Sequence, residues 1–321
     1  MPISAYPANI IIFIHYLCAM DKFYGEICQF LHDYGLHIYK VGEGYGHISV
    51  KAECSGNDRA IPLMLLGTPA TSQEEAERQH AEASAEIARL TDESGTYPLI
   101  LTEDRWSSQG EMTRSRLLAH LEIFTQIYAR NCEVRRIDKA TAQNFLQTSH
   151  SYGDAACKYR YGLYLKRHTG HNALRLSESN DNPDGQAIAA LQPGTLIAVA
   201  TFSNARKWIK GDKTIRSYEW TRYASLPGVR LSGGMGKVLK TFIKEVQPDD
   251  IMTYADLEWS EGKVYEQLGF TLEGVKEPVT FLIGSDCRRR PDRPDIPAME
   301  EDRWLRNFGS NKYRLKLTDY Q

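Results

Sequence analysis

With 321 residues, 42% hydrophobic and 25% charged side chains and a formal net charge of -2, the chain carries apolar material for two cores and no global excess of either sign. This excludes a uniformly basic coat for nucleic acid, so any such contact must be a local patch. The six cysteines, Cys18, Cys28, Cys54, Cys132, Cys157 and Cys287, form no C-x-x-C pair and no Cys/His cluster at zinc-ligand spacing, which points to reduced thiols of a cytoplasmic protein and away from a metal site.

The apolar run Ile10 to Met20 is too short to span a bilayer, is interrupted by His15 and lacks a basic segment before it. It therefore predicts a core helix or strand, with no signal peptide and no membrane contact. From Asp21 to Tyr34, Phe23, Ile27, Phe30 and Leu31 recur at helical spacing, and Gly35 is a natural stop. Short β-type runs follow at Leu36 to Val41, His47 to Ala52 and Ile61 to Leu66, between Gly- and Asn/Asp-bearing turns. Ser72 opens an Ala/Glu-rich helix to Leu90 with Glu75 in capping-box relation, and Tyr97 to Leu101 adds a strand. This order makes a small α/β domain over residues 1–110, followed by an amphipathic connector helix, Glu111 to Ala129, within 111–131.

A second domain, 132–285, begins with the strand Cys132 to Ile137. A helix around Lys139 to Gln147, strands Tyr161 to Lys166 and Leu196 to Ser203, and the strand Ser217 to Ala224 follow. Between the first two of those strands, His168 to Gly194 is rich in Asn, Asp, Ser, Gly and Pro and reads as a long loop or inserted lid. Then come a glycine turn, helix Gly236 to Val246, strand Ile251 to Ala255, helix Glu261 to Leu268 and strand Val279 to Ile283. Residues 286–321 read as a charged tail. No internal repeat is visible.

The chemistry concentrates in this second domain. The turn Leu231-Ser232-Gly233-Gly234-Met235-Gly236-Lys237 opens a helix, whose unpaired N–H groups and positive dipole end suit the pyrophosphate of a nucleotide-type cofactor; a plain loop entering a helix is the competing reading. Asp256 ends a strand and can orient or deprotonate an amine, or cap the next helix. His150 sits in the loop after the first helix, as a substrate contact or simply solvated, and Arg222 lies on the strand before the glycine turn. Arg206-Lys207-Trp208 with Lys210, Lys213 and Arg216, and Lys158-Tyr159-Arg160-Tyr161, interleave cations with aromatics, a mixture suited to phosphates and unstacked bases.

The glycine turn, with Tyr254-Ala255-Asp256, Trp259-Ser260-x-Gly262 and Tyr265-Glu266-x-Leu268-Gly269-Phe270, resembles the cofactor-binding half of the Gcn5-related N-acetyltransferase (GNAT) superfamily. Thr102-Glu103-Asp104-Arg105-Trp106, Arg114 to Leu118 and Ala129-Arg130-Asn131-Cys132-Glu133-Val134-Arg135 extend the resemblance to phage homing-endonuclease-like proteins. In those, a restriction-endonuclease-like domain precedes a GNAT-like one; the Mom DNA-modification protein of phage Mu has a related core. The resemblance implies an α/β fold with a GNAT-like mixed sheet, an acetyl-CoA-type donor on Leu231 to Lys237, and Tyr265 as proton donor to the leaving thiolate. Packing is the alternative for Tyr265. It also implies an acyltransferase-like protein of phage or mobile-element descent that modifies an amine on DNA; a non-catalytic DNA-binding protein is the competing reading. Glu26 matches the helical glutamate of the nuclease domain. The two strand carboxylates that should follow are missing from His47 to Glu53 and Ala60 to Leu66, so no nuclease activity is expected.

Overall fold

The computed structural model describes residues 8–54, 60–167, 191–293, 295 and 297–319, and divides the chain into two compact units. The fold class is mixed α/β, as the element order implies. The first unit comprises the chain up to Gly110, joined from later in the sequence by Leu257–Ser260 and Glu277–Gly309.

In the first unit, α1 (Ala8–Asp33) absorbs the early apolar run into one long helix. Strands β1 (Leu36–Gly44), β2 (His47–Cys54) and β3 (Ile61–Leu66) pair antiparallel, and β4 (Leu99–Thr102) lies parallel to β3. The crossover is α2 (Gln73–Ser94), whose Ser72 cap accepts from the Glu75 N–H at 3.2 Å and whose end is Gly95 at φ 64°. Ala76, Ala83, Ile87 and Leu90 recur on its buried face. A short helix, α3 (Glu103–Ser108), follows β4. The later segments bring a three-stranded sheet, β14 (Thr280–Ile283) between β15 (Arg289–Pro291) and β16 (Arg303–Arg306).

A buried charge cluster fastens these segments. Arg289 donates to Asp104 at 2.6 Å, Glu258 at 2.8 Å and Thr102 at 3.0 Å. Glu258 also pairs with Arg105 at 2.8 Å, at an angle outside hydrogen-bond geometry. Burial pushes the Asp104 carboxyl up, but Arg289's charge and hydrogen bonds outweigh it and hold the group below the usual range.

The second unit holds an eight-stranded sheet. Its path runs β13 (Thr271–Lys276), β17 (Ser310–Lys316), β12 (Asp250–Asp256), β10 (Lys213–Ser225), β8 (Leu196–Phe202), β7 (Tyr159–Leu165) and β6 (Cys132–Arg136), with β9 (Arg206–Lys210) hairpinned onto β10. Among the described residues β10 and β12 are the parallel pair of this sheet, and the rest are antiparallel. On one face α6 (Gly234–Val246) packs Phe242 flat on Phe202, with ring centroids 3.9 Å apart. On the other, α5 (Lys139–Ser149) packs Ala142, Phe145 and Leu146 on Val199 and Ala224. A short α7 (Lys263–Gln267) links β12 to β13.

Three expectations change. The connector helix 111–131 is cut short: α4 (Gly110–His120) ends, Glu122 takes φ 64°, and β5 (Thr125–Tyr128) forms because β11 (Val229–Ser232), a hundred-odd residues on, pairs with it in parallel. The charged tail 286–321 is no tail. β17 is an inner strand whose charges are spent on neighbours, Arg314 on Asp250 at 2.6 Å and Lys312 on Glu273 at 2.7 Å, which erases the apolar alternation a core strand otherwise shows. The second domain does not end at 285, since Glu277–Gly309 belong to the first unit. Of the loop His168 to Gly194, residues 168–190 lie outside those described. Among the described residues no helix is long and apolar enough to cross a membrane.

Removing one partner of a buried, hydrogen-bonded charge cluster strands the others. Arg289→Ala is therefore expected to cost ~3–5 kcal/mol in urea unfolding, and a loss below ~1 kcal/mol contradicts the role given to the cluster. Because the folded pKa of Asp104 is depressed, its contribution is full above the unfolded value of roughly 4 and is lost as pH falls through the folded value.

Candidate active site

The site starts from a break in the parallel pair. β10 and β12 pair only from Ser217–Asp250 to Glu219–Met252, although the strands continue to Ser225 and Asp256. Beyond that point no backbone pairing joins the two strands among the described residues, and the Thr253 hydroxyl donates across to the Trp220 carbonyl at 3.1 Å; the carboxyl ends of parallel strands are where open α/β sheets take ligands.

A bulge in β10 decides which face its later side chains take. Trp220 pairs with Phe202 but Arg222 with Thr201, so one extra residue enters the strand. The Trp220 indole pins it by donating to the Arg222 carbonyl at 3.0 Å, and the Thr221 hydroxyl donates to the Thr201 carbonyl, also at 3.0 Å. The bulge inverts the alternation: Tyr223 turns to the α6 face and Arg222 to the α5 face.

On the α6 face, β11 delivers the glycine turn. Its ladder with β5 ends at Ser232–Tyr128, and Gln126 donates to the Ser232 hydroxyl at 2.9 Å. Gly233 then takes φ 77°, a left-handed conformation that favours glycine. Gly234 has a packing reason instead, since a Cβ there meets the Tyr223 hydroxyl at 2.4 Å and Leu231 at 2.7 Å. Leu231 itself is buried in the core. The first intrahelical bond is Lys237 N–H to the Gly233 carbonyl, so the N–H groups of Gly234, Met235 and Gly236 are the ones the helix leaves over. The Lys237 ammonium donates to the carbonyls of Ala129, at 2.8 Å, and Cys132. The turn thus fits an anionic group held by backbone N–H; the Lys237 N–H, expected from the sequence to hold the cofactor's phosphates, is committed to the helix, and its ammonium to the two carbonyls.

Tyr265 stands on the same face among Trp220, Phe270 and Tyr313, with its hydroxyl bonded to Thr253. Burial raises its pKa. Asp256 falls on the other face: strand alternation separates it from Thr253 and Ala255, so the structure does not bring Asp256 and Tyr265 side by side. Arg222 and His150 do come together. The Arg222 guanidinium donates to the Gly153 carbonyl at 2.9 Å and the Thr221 carbonyl at 2.8 Å and lies 5.9 Å from the Tyr152 ring, while His150 Nδ1 accepts the Tyr152 N–H at 3.1 Å. Burial lowers the Arg222 pKa, against the opposing charge of Glu219.

Sequence reasoning passed over Tyr223. Its hydroxyl oxygen is buried and has no hydrogen-bond partner in the protein, and burial pushes its pKa well up. The residue also lines a cavity of about 170 Å³ with Ser149, Arg116 and Ser115. The signal that could have found it is its place three residues after a tryptophan on the strand entering the glycine turn.

In the first unit, Glu26 accepts the Trp106 indole N–H at 3.0 Å and Glu53 accepts the Tyr39 hydroxyl at 2.8 Å, which accounts for both carboxylates structurally.

No protein-family model and no curated protein matches the chain. Among solved structures it is similar to an acetyltransferase of the GNAT family from Bacillus anthracis, at 14% identity and a TM-score of 0.28, covering 58% of this chain and 95% of that one. A likeness that weak leaves the functional reading to the geometry.

The hydroxyls of the two tyrosines separate by stability. Tyr265→Phe, which breaks the bond to Thr253, is expected to cost ~0.5–1.5 kcal/mol, whereas Tyr223→Phe costs nothing measurable. Gly234→Ala is expected to cost ~1–3 kcal/mol through overpacking, part of which the added Tyr223→Phe recovers. Additive effects in that double variant, read from chemical denaturation, contradict the packing described.

Proposed function

We propose that the second unit is an acyltransferase-like enzyme that passes an acyl group from a coenzyme A-type thioester to an amine, with an exposed amine of a DNA base as the acceptor. The observation that carries this is the split β10–β12 pair with a glycine-capped helix on one face and a buried, unpartnered phenol beside that cap. It agrees with the GNAT-like reading of Gly233 to Lys237 and Tyr254 to Asp256. A bound thioester supplies the activated acyl carbon. The leftover N–H groups of Gly234, Met235 and Gly236 hold its phosphates. As the amine nitrogen bonds to that carbon and the carbon–sulfur bond breaks, Tyr223 gives its proton to the departing sulfur, the role expected from sequence for Tyr265. Asp256, Arg222 and His150 belong to the acceptor side, Asp256 taking the amine's proton. DNA as acceptor draws on the hairpin β9–β10, where the exposed Arg206, Lys207 and Lys213 accompany Trp208.

The commitment of the Lys237 ammonium and the packing role of Gly234 favour a second reading, a DNA-binding protein without catalysis. Calorimetry with coenzyme A, and mass spectrometry of DNA after incubation with acetyl-CoA, decide between them. Under the first reading coenzyme A binds, DNA gains the acyl mass, and Tyr223→Phe lowers the rate by roughly 10²–10⁴ without loss of stability. Absence of both heat and product, with DNA binding intact, establishes the second. Under either reading Mg²⁺ or Mn²⁺ brings no cleavage of duplex DNA, and metal-dependent nicking that disappears in Glu26→Ala refutes that expectation.

A further inference from the structure

A second cleft in the same unit, of about 680 Å³, lies between the first half of α5, the segment leading into β7 and the turn after β8. Its walls are polar: Arg160 and Asp154 with Gln143 and Ser203, and Lys139 and Arg206 at the exposed rim. Asp154 Oδ1 and Arg160 Nε are both buried and neither has a hydrogen-bond partner among the described residues. Opposite charges lining one cleft ordinarily close on each other, yet no ion pair joins these two. Arg160 is held by the β7–β8 ladder opposite Thr201, and Asp154 follows the Gly153 carbonyl that the Arg222 guanidinium grips. Each is therefore presented by backbone that something else has fixed.

Leaving a buried charged atom without a hydrogen bond is costly, and ligand pockets are where such polar atoms converge. The ligand chemistry follows from the pairing that is missing. An acceptor oxygen on Asp154 wants a donor, and the Arg160 N–H with the rim cations wants an anion. We propose that this cleft binds a phosphate carrying a neighbouring hydrogen-bond donor, a hydroxyl or an amine, for which a nucleotide unit is the simplest representative. Arg160, Lys139 and Arg206 hold the phosphate and Asp154 accepts from the donor beside it. The cleft combines the first half of α5 with the loop that runs on from His150, so Asp154 also lies within electrostatic reach of Arg222, and its ligand chemistry stands whether or not the acyl transfer occurs.

The probes are AMP, a single-stranded oligoadenylate at matched nucleotide concentration, and inorganic phosphate, measured by calorimetry on the full chain, wild type and the variants Arg160→Gln and Asp154→Asn. Unchanged circular dichroism melting establishes that the variants fold. The expected result is that AMP or the oligonucleotide binds and that each variant weakens it at least about tenfold, as loss of a charged hydrogen bond does. Inorganic phosphate, whose only donors are its own acid protons, is weakened by Arg160→Gln and less affected by Asp154→Asn than AMP or the oligonucleotide is. Binding of AMP assigns the site to free nucleotides, and binding of the oligonucleotide alone assigns it to a strand. Failure of both to bind wild type, or nucleotide binding by Asp154→Asn equal to wild type, overturns the proposal.

Discussion

The indole of Trp220 on the carbonyl of Arg222 is a single neutral hydrogen bond, yet the candidate site depends on it. A regular strand would send Arg222 and Tyr223 to the faces they do not occupy, since one residue's slip exchanges the two sides of a sheet. With the bulge in place, the guanidinium sits with the loop after α5 and the phenol lies under the cap of α6. The bulge falls next to the place where β10 and β12 stop pairing. The two irregularities reinforce each other, because a bulge increases local twist and a more twisted strand diverges from its parallel neighbour.

Glycine at the turn has two causes within two residues. Gly233 answers to backbone geometry and Gly234 to the volume of Tyr223 and Leu231. Neither cause is a ligand. What remains for a ligand is the set of N–H groups that any helix leaves unpaired at its start, with a dipole that favours an anion there. Lys237 rigidifies rather than charges this end: its ammonium bridges two carbonyls of the 129–132 segment, which ties the helix start to the beginning of β6.

Much of the secondary structure was legible because its signals are local. The Ser72 cap with Glu75, the short β-type runs of β1 to β3 and the helical segments of α5 and α6 are each written within a dozen residues or so. What escaped depends on partners far away. β5 exists through β11, and β17 hides its place inside the sheet behind Lys312 and Arg314, whose partners lie on β12 and β13. A glycine turn opening a helix can be read from the sequence, but the parity change that turns Tyr223 toward that helix is a property of the β8–β10 register and leaves no mark on hydrophobic periodicity, and the face of Asp256 is set separately by the alternation of β12.

The buried polar groups of this chain differ in how fully they are matched. In the first unit Arg289 is matched on every side by Asp104, Glu258 and Thr102, so its burial stabilises the segments it joins. In the second unit Tyr223, Asp154 and Arg160 each bury a polar atom that no protein group answers. A partnerless buried donor or acceptor costs ~1–3 kcal/mol, against a net stability of roughly 5–15 kcal/mol for a whole domain. Ser217, Asp250 and Arg314, in the same sheet, satisfy one another at hydrogen-bond distance. Among the unanswered atoms of the described residues, those of Tyr223, Asp154 and Arg160 are set apart by their place, since each of these residues lines a cavity.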